Sequence, residues 1–564
     1  MKFEQYKYER PNYEIYKNDI LNLTEKFKVE KSSANQLSII RKINKMRNSL
    51  ESMSTIASIR HDVNTDDKFY NEERDYWDTY GPLYEEINSN FYEAIINSKF
   101  RVELEEEFGT QFLNLAELSL KAFSNEIIED LQLENKLSSK YAKLIASCKI
   151  NFEGEERNLS SMGPFLISKD RNVRERAGKA KYNFFVEHEE EFDAIYDKLV
   201  KVRDKIAKKL GFENFVELAY VRMMRSDYNP EMVKVFRKQV LDYIVPVANK
   251  LYERQRKRLN INKLEYFDEK FEFLSGNATP KGDPQWIIHN GIKMYSELSV
   301  ETKEFFNFMV DGNLLDLVTK KHKKSGGYCT YIPDYKAPFI FSNFNGTSGD
   351  VDVLTHEAGH AFQVYQSRWI DMPECTFPTY ESCEIHSMSM EFFTWPWMDL
   401  FFKEDTKKYK FIHLGGAIKF IPYGITVDEF QHYVYENPNA TPKERKEAWR
   451  NIEKKYLPHK NYEKCDFLER GGWWMQQGHI FQTPFYYIDY TLAQICALQF
   501  WKKMIEDRES AWKDYVKLCS IGGTKSFLNL VKYANLKSPF EEGCVSSIIK
   551  EIERWLEKVD DINL

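Results

Sequence analysis

An uninterrupted apolar run of about 18 residues occurs nowhere in this chain, so no membrane-spanning helix is expected. Basic stripes are missing as well. The net charge is −7 and no Lys or Arg run has the form that tracks phosphates, which argues against nucleic acid as a partner. The eight cysteines, Cys148, Cys329, Cys375, Cys383, Cys465, Cys496, Cys519 and Cys544, are scattered and include no CxxC pair, so reduced, mostly buried thiols are expected rather than disulfides. Met1 to Arg10 is charged throughout and lacks the apolar core and small-residue cleavage site of a secretory signal. Together with the thiols, this leads us to expect a cytoplasmic protein. No internal repeat or low-complexity tract interrupts the chain, and no motif speaks to oligomeric state.

What is present is a globular composition, 42% hydrophobic and 30% charged, with an aromatic share of 15% that includes 34 tyrosines. At 564 residues the chain exceeds the size at which one core stops growing, so two or more lobes are expected. Most segments carry the helical period. Phe192, Ile195, Tyr196, Leu199, Val202 and Ile206 recur at three- and four-residue steps, and Gly211 stands where a left-handed cap would end the helix. Thr441-Pro442-Lys443-Glu444 combines a Thr cap, Pro at the first helical position and Glu at the third, a capping box.

Similar patterns fill residues 12–150 and 505–560, which predicts a predominantly α protein. Sheet is the exception. The β-branched and aromatic runs from Gly327 to Pro333 and from Pro338 to Phe344 read as strands. The turn Asn345 to Asp350 then leads into the segment that carries the main motif, implying a small sheet beside that helix. Its edge could take an extended peptide as an added strand, or the hairpin could simply cover the helix. Pro280, Gly282 and Pro284 mark a loop near 275–285. We divide the chain near residue 160, into an N-terminal helical lobe (1–160) and a catalytic domain (161–564).

The main motif is His356-Glu357-Ala358-Gly359-His360. With 11 histidines and 87 acidic residues in the chain, chance would produce such a pattern roughly 0.03 times. Residues four apart share a helix face, so His356 and His360 can hold one zinc ion while Glu357 reaches the water beside it. A helix whose histidines merely pack or face solvent is the bland alternative. A catalytic zinc needs a third ligand and an open position. Glu384 and Glu391, seven apart on the helix that follows, share a face, whereas His386 points elsewhere. Glu384 is therefore read as the third ligand, and Glu391 either as an acceptor that orients a ligand histidine or as an ordinary carboxylate. His386 is expected to hydrogen-bond within the helix bundle. The extended metzincin motif is excluded because Gln363 and Gln366 occupy its Gly and His positions. His61, His188, His289, His322, His413, His432 and His459 have no ligand spacing and read as structural or exposed.

From about Gly326 to Tyr490 the chain resembles the thimet oligopeptidase and oligoendopeptidase F family of zinc metallopeptidases. The resemblance rests on His-Glu-Ala-Gly-His, on Glu384-Ile-His-Ser-Met-Ser-Met-Glu391 and on Gly478-His479-Ile-Phe-Gln-Thr-Pro-Phe-Tyr486-Tyr487-Ile-Asp-Tyr490. It implies two helical lobes flanking a deep channel that admits short unfolded peptides, with one Zn2+ on the floor. It also implies that Tyr490 and Tyr487 touch the scissile carbonyl or substrate backbone, with His479 nearby, although the spacing leaves the choice among Tyr486, Tyr487 and Tyr490 open. Read without the family, such an aromatic cluster is more often core. The expected activity is a zinc endopeptidase acting on oligopeptides, with Glu357 as proton acceptor. Its rivals are a carboxypeptidase or dipeptidyl carboxypeptidase on a similar fold and a peptide-binding protein that has lost catalysis.

Overall fold

The apolar spacing around Phe192 to Ile206 is used as expected: all six side chains are buried on a helix, Glu189–Lys209, and Gly211 follows in the left-handed region. The Thr441 box also forms. Thr441 Oγ1 accepts from the Glu444 amide, the Glu444 carboxylate accepts from the Thr441 amide at 2.7 Å, and the helix Pro442–Tyr456 begins there. A computed structural model describes residues 1–320, 322–324 and 326–564, and helices carry most of them.

Two small sheets complete the secondary structure. Strands β1 (Ile150–Phe152) and β2 (Glu155–Arg157) form a hairpin over Glu153 and Gly154, both at positive φ as a tight primed turn requires. The second sheet has the order β3-β5-β4, with β3 (Leu315–Val318), β4 (Tyr328–Ile332) and β5 (Ala337–Phe344). Here β4 and β5 are the antiparallel pair read from sequence. Strand β3 was not anticipated; it runs parallel to β5 and is only four residues long, with a polar Asp316 inside. Central β5 is almost wholly buried and feeds directly into the helix Gly349–Ser367, while β4 keeps one free edge.

Helices Tyr13–Val29, Ser33–Val63, Lys68–Ile96, Arg101–Phe108 and Thr110–Lys121 build a core of their own around Ile20, Phe27, Ile40, Ile43, Phe91, Ile95 and Phe112. Among the described residues, Met372 and Cys375 join that core from later in the chain and Ile370 packs against it. The main core runs from Ile127 to Leu556 and also takes Phe3, Tyr6, Ile56 and Ile59. Between the two lies a cleft of about 640 Å3, with Tyr92, Leu115 and Ser119 on one side and the main motif on the other. This is the channel of a two-lobed helical fold. Arg47 and Tyr92 reach across to Glu374 and tie the lobes together. All eight cysteines are free, and among the described residues no helix is long and apolar enough to cross a membrane.

Candidate active site

The helix Gly349–Ser367 starts with Asp350 accepting the Asn345 and Gly346 amides at 2.8 Å, placing negative charge at its positive end. Its central turn carries His356, Glu357 and His360. Against it packs the helix Tyr380–Phe393. The contact is close because of Gly359: a Cβ there would lie 2.6 Å from the His386 carbonyl oxygen and from Ser387 Cα. Only glycine lets these two backbones meet, and that approach brings Glu384 to the histidine pair.

One ligand atom from each of His356, His360 and Glu384 lies within 4.8 Å of the others. Glu384 Oε2 is 3.3 Å from His356 Nε2 and 3.4 Å from His360 Nε2. Donors held about 2.0–2.2 Å from a tetrahedral zinc stand about 3.3–3.5 Å apart, so these spacings fit the ion. Burial would raise the Glu384 carboxyl, but the adjacent imidazoles of His360 and His356 hold it well below the ordinary range. Ser387 Oγ donates to the same Oε2 at 2.9 Å, and the Tyr486 hydroxyl donates to Oε1 at 3.0 Å.

Glu391 turns its carboxylate to His356 Nδ1 at 2.7 Å and to His413 Nε2 at 2.7 Å. Burial would raise Glu391, yet hydrogen bonds from both histidines hold it at about 2, so it accepts only. His356 must then carry a proton on Nδ1; burial would lower its pKa, but the bonds to Glu384 and Glu391 hold it well above the ordinary value, and a metal at Nε2 would take the place of the second proton. His413 also turns a proton to Glu391, but from Nε2, because its Nδ1 accepts from the Trp395 indole, which can only donate, at 3.2 Å. Burial lowers the His413 pKa, although its bond to Glu391 raises it overall. The indole bond nonetheless requires the neutral tautomer.

Glu357 is 8% exposed, lines the cleft and, among the described residues, makes no hydrogen bond to a protein side chain. Burial raises its carboxyl, and Glu384 and Glu391 add to the rise against the opposing pull of His356 and His360. A carboxylate of raised basicity that faces the cleft is equipped to take a proton from water. It also borders β4: a Cβ on Gly327 would stand 3.8 Å from Glu357 Oε1, and Gly327, Tyr328 and Cys329 line the same cleft.

The tyrosine wall divides in two. Tyr486 and Tyr490, with ring centroids 4.8 Å apart, line the metal cleft, and burial raises both hydroxyls so that they stay protonated. Tyr487 and His479 line a neighbouring cavity that shares only Tyr490 with the metal cleft. His479 is lowered by burial, and its Nδ1 faces the Gln477 amide at 2.8 Å while Gln477 Oε1 accepts from the Tyr423 hydroxyl. His479 is therefore neutral, with its proton on Nε2. His386 is fully buried and lowered to about 3 by that burial. Its expected hydrogen bond is not formed: the backbone of Ser382 and Cys383 faces the ring without reaching bonding geometry.

Residues 165–548 match the profile of Peptidase family M3, and residues 3–123 match that of the Peptidase M3 N-terminal domain. The chain belongs to Peptidase family M3. An oligoendopeptidase F homolog of Borreliella burgdorferi is 25% identical over 372 residues, covering 64% of this chain and 61% of that protein. The chromosomal oligoendopeptidase F of Lactococcus lactis subsp. cremoris is 24% identical over 216 residues, 37% of this chain and 34% of that protein. The chain thus aligns with less than two-thirds of the length of either curated relative. A solved structure of PZ peptidase A with an inhibitor is 59% identical, covers 100% of both chains and superposes with a TM-score of 0.95.

Several parts of this M3 site have no local signature in the sequence. Arg225 donates to the Phe485 carbonyl at 2.6 Å and to Asp489 Oδ1 at 2.7 Å, and both charged side chains are wholly buried. It fixes the start of the helix Tyr487–Glu506 and hence the tyrosines. Met224 and Phe485, on either side of this ion pair, both have positive φ. Asp352, in the first turn of the metal helix itself, accepts from the Tyr409 hydroxyl at 2.6 Å and lines a cavity together with Glu391 and His413. Of the histidines read as structural or exposed, only His413 joins the site; none of the seven lines the metal cleft.

Proposed function

We propose that this chain is a zinc-dependent endopeptidase that hydrolyses internal bonds of short, unfolded oligopeptides. The observation that carries this reading is the spacing of His356 Nε2, His360 Nε2 and Glu384 Oε2, which suits one tetrahedral zinc with a fourth position open to the cleft. Zinc held there supplies Lewis acidity to water and to a peptide carbonyl. Glu357 takes the proton of the attacking water and hands it to the leaving amine. Tyr490, free of the metal ligands and kept protonated by burial, donates to the developing oxyanion, while Tyr486 steadies Glu384. The free edge of β4 receives the substrate as an added strand beside Glu357, matching main-chain groups without reading side chains. His479 and Tyr487, one cavity further on, bind substrate backbone rather than the reacting carbonyl. The division placed at residue 160 from the sequence moves earlier in this reading: the helices between Tyr13 and Lys121 form the lobe that roofs the catalytic domain, and residues from Ile127 onward pack into the main core. The names of the relatives, oligoendopeptidase F and PZ peptidase A, support the same substrate class.

Peptides blocked at both ends, incubated with the protein and analysed by mass spectrometry, test this directly. Internal cleavage that a chelator abolishes and Zn2+ restores is expected. A carboxypeptidase would leave such peptides intact, and a binding protein would turn over nothing.

A further inference from the structure

Three cavities follow one another away from the metal. The metal cleft shares Tyr490 with a cavity of about 490 Å3 that holds His479 and Tyr487. His479 is bonded to Gln477, and the Tyr487 ring stands edge-on to Tyr423 at 5.6 Å. Gln477 and Tyr423 in turn line a third cavity of about 310 Å3. Its walls are largely aromatic, from Tyr182, Tyr266, Phe267 and Trp473, and two lysines, Lys181 and Lys270, complete the lining.

Those two lysines are unusual in what they lack. Lys181 Nζ donates to Gln476 Oε1 at 2.7 Å, and among the described residues neither Lys181 nor Lys270 has a carboxylate within ion-pairing distance. The one acid on the cavity wall, Glu269, is taken by Lys460 at 2.6 Å, and Lys460 also lies over the Trp473 ring. Burial, reinforced by repulsion from Lys270 and Lys460, lowers Lys181 to about 7. Lys270 is exposed to solvent while Lys181 is partly buried, and an anion entering the cavity would favour the charged form of Lys181 that burial disfavours. A peptide that leaves the metal cleft along this line ends in one anionic group, its C-terminal carboxylate, preceded by a side chain that the aromatic walls can accept.

We propose that the cavity bounded by Lys181, Lys270, Gln476, Tyr423 and Trp473 receives the C-terminal carboxylate of the peptide substrate, which fixes the direction of the peptide in the channel. The assignment rests on the endopeptidase reading. In it the cavity stands beyond the His479–Gln477 pair, so the scissile bond is internal and the captured carboxylate belongs to the far end of the leaving product.

The test uses the zinc-loaded full-length protein and one internally cleaved peptide prepared as the free acid, as the C-terminal amide and as an amide ending in Asp. For the unmodified protein the amide should show a KM about tenfold above that of the acid, with kcat within about twofold. Replacing both lysines, Lys181→Gln with Lys270→Gln, should raise the acid's KM about tenfold and leave the amide's unchanged, so that the two converge; Lys181→Arg should keep the preference. Equal KM values for acid and amide on the unmodified protein would overturn the pocket and leave the endopeptidase reading intact. Zinc-dependent cleavage of neither peptide would bring down that reading itself. If the amide ending in Asp matches the acid, the cavity reads a side-chain carboxylate and the C-terminal assignment falls. Should the double variant fail to fold, the acid and amide comparison on the unmodified protein and on Lys181→Arg still decides the matter.

Discussion

On one wall of the cleft, His356, His360 and Glu384 ride on two helices brought together by Gly359; on the other, Tyr486 and Tyr490 sit at a helix start pinned by Arg225, 264 positions before its partner Asp489. The metal wall is thus built from near neighbours in sequence, and its second layer, Glu391 and His413, fixes a tautomer as well as a position. The tyrosine wall depends on one buried ion pair and two left-handed backbone positions, Met224 and Phe485. Chemistry that must be exact about protons is placed on the first. Donors that need only reach the oxyanion are placed on the second.

Removing the proton acceptor should have the largest effect. Glu357→Gln keeps size and shape but cannot take a proton, so kcat should fall by at least about 10^3 with zinc content and melting temperature unchanged. Zinc analysis alongside peptide hydrolysis checks this, and near-normal turnover would assign the base elsewhere. On the opposite wall, Tyr490→Phe should lower kcat by about 10^2 to 10^3 with KM almost constant. A change confined to KM would make Tyr490 a binding residue and transfer the oxyanion role to Tyr486, at the expense of its bond to Glu384.

A third substitution separates metal affinity from chemistry. Glu391→Gln has one acceptor oxygen for two imidazoles that both donate to Glu391, and it turns an amide donor to the other, so the bond that enforces the His356 tautomer is lost or contested. Zinc affinity, measured by competition with a chromophoric chelator, should drop about 10- to 100-fold, while kcat at saturating zinc changes far less. Unaltered affinity would show that Glu391 serves packing alone.

How much of this was legible in the sequence follows the same division. His356, Glu357, His360, Glu384 and Glu391 could be placed because helix geometry converts spacing into a shared face, and both helices formed where the pattern put them. The choice among Tyr486, Tyr487 and Tyr490 could not be made, because Phe485 turns through the left-handed region and resets the phase of the helix that follows. Arg225 gives no local sign of its partner, since an ion pair across 264 residues leaves no periodicity to read. His413 passed as an ordinary histidine for the same reason: its carboxylate lies on another helix, 22 residues away. Strand β3 escaped because its four residues, of which only Leu317 is buried, do not alternate long enough to register.

The smallest expected effect concerns Asp352, in the first turn of the helix that carries His356 and His360. Burial raises its carboxyl to about 6, with Glu391 adding to the rise, against the lowering influence of His413, the Tyr409 hydrogen bond and His356. In the unfolded chain the group titrates near about 4. Between those values the folded protein holds a proton that the unfolded chain has released, so this contribution to stability is full below about pH 4 and is lost as pH rises toward 6. Asp352→Asn cannot titrate and still offers Tyr409 an acceptor oxygen. The fall in melting temperature between pH 4.5 and 7 should therefore be smaller in the variant, by about 1–3 °C for a chain of this size. Scanning calorimetry at the two pH values measures it. An identical slope in both proteins would mean that Asp352 is already ionised in the fold, and that Tyr409 and His413 outweigh its burial.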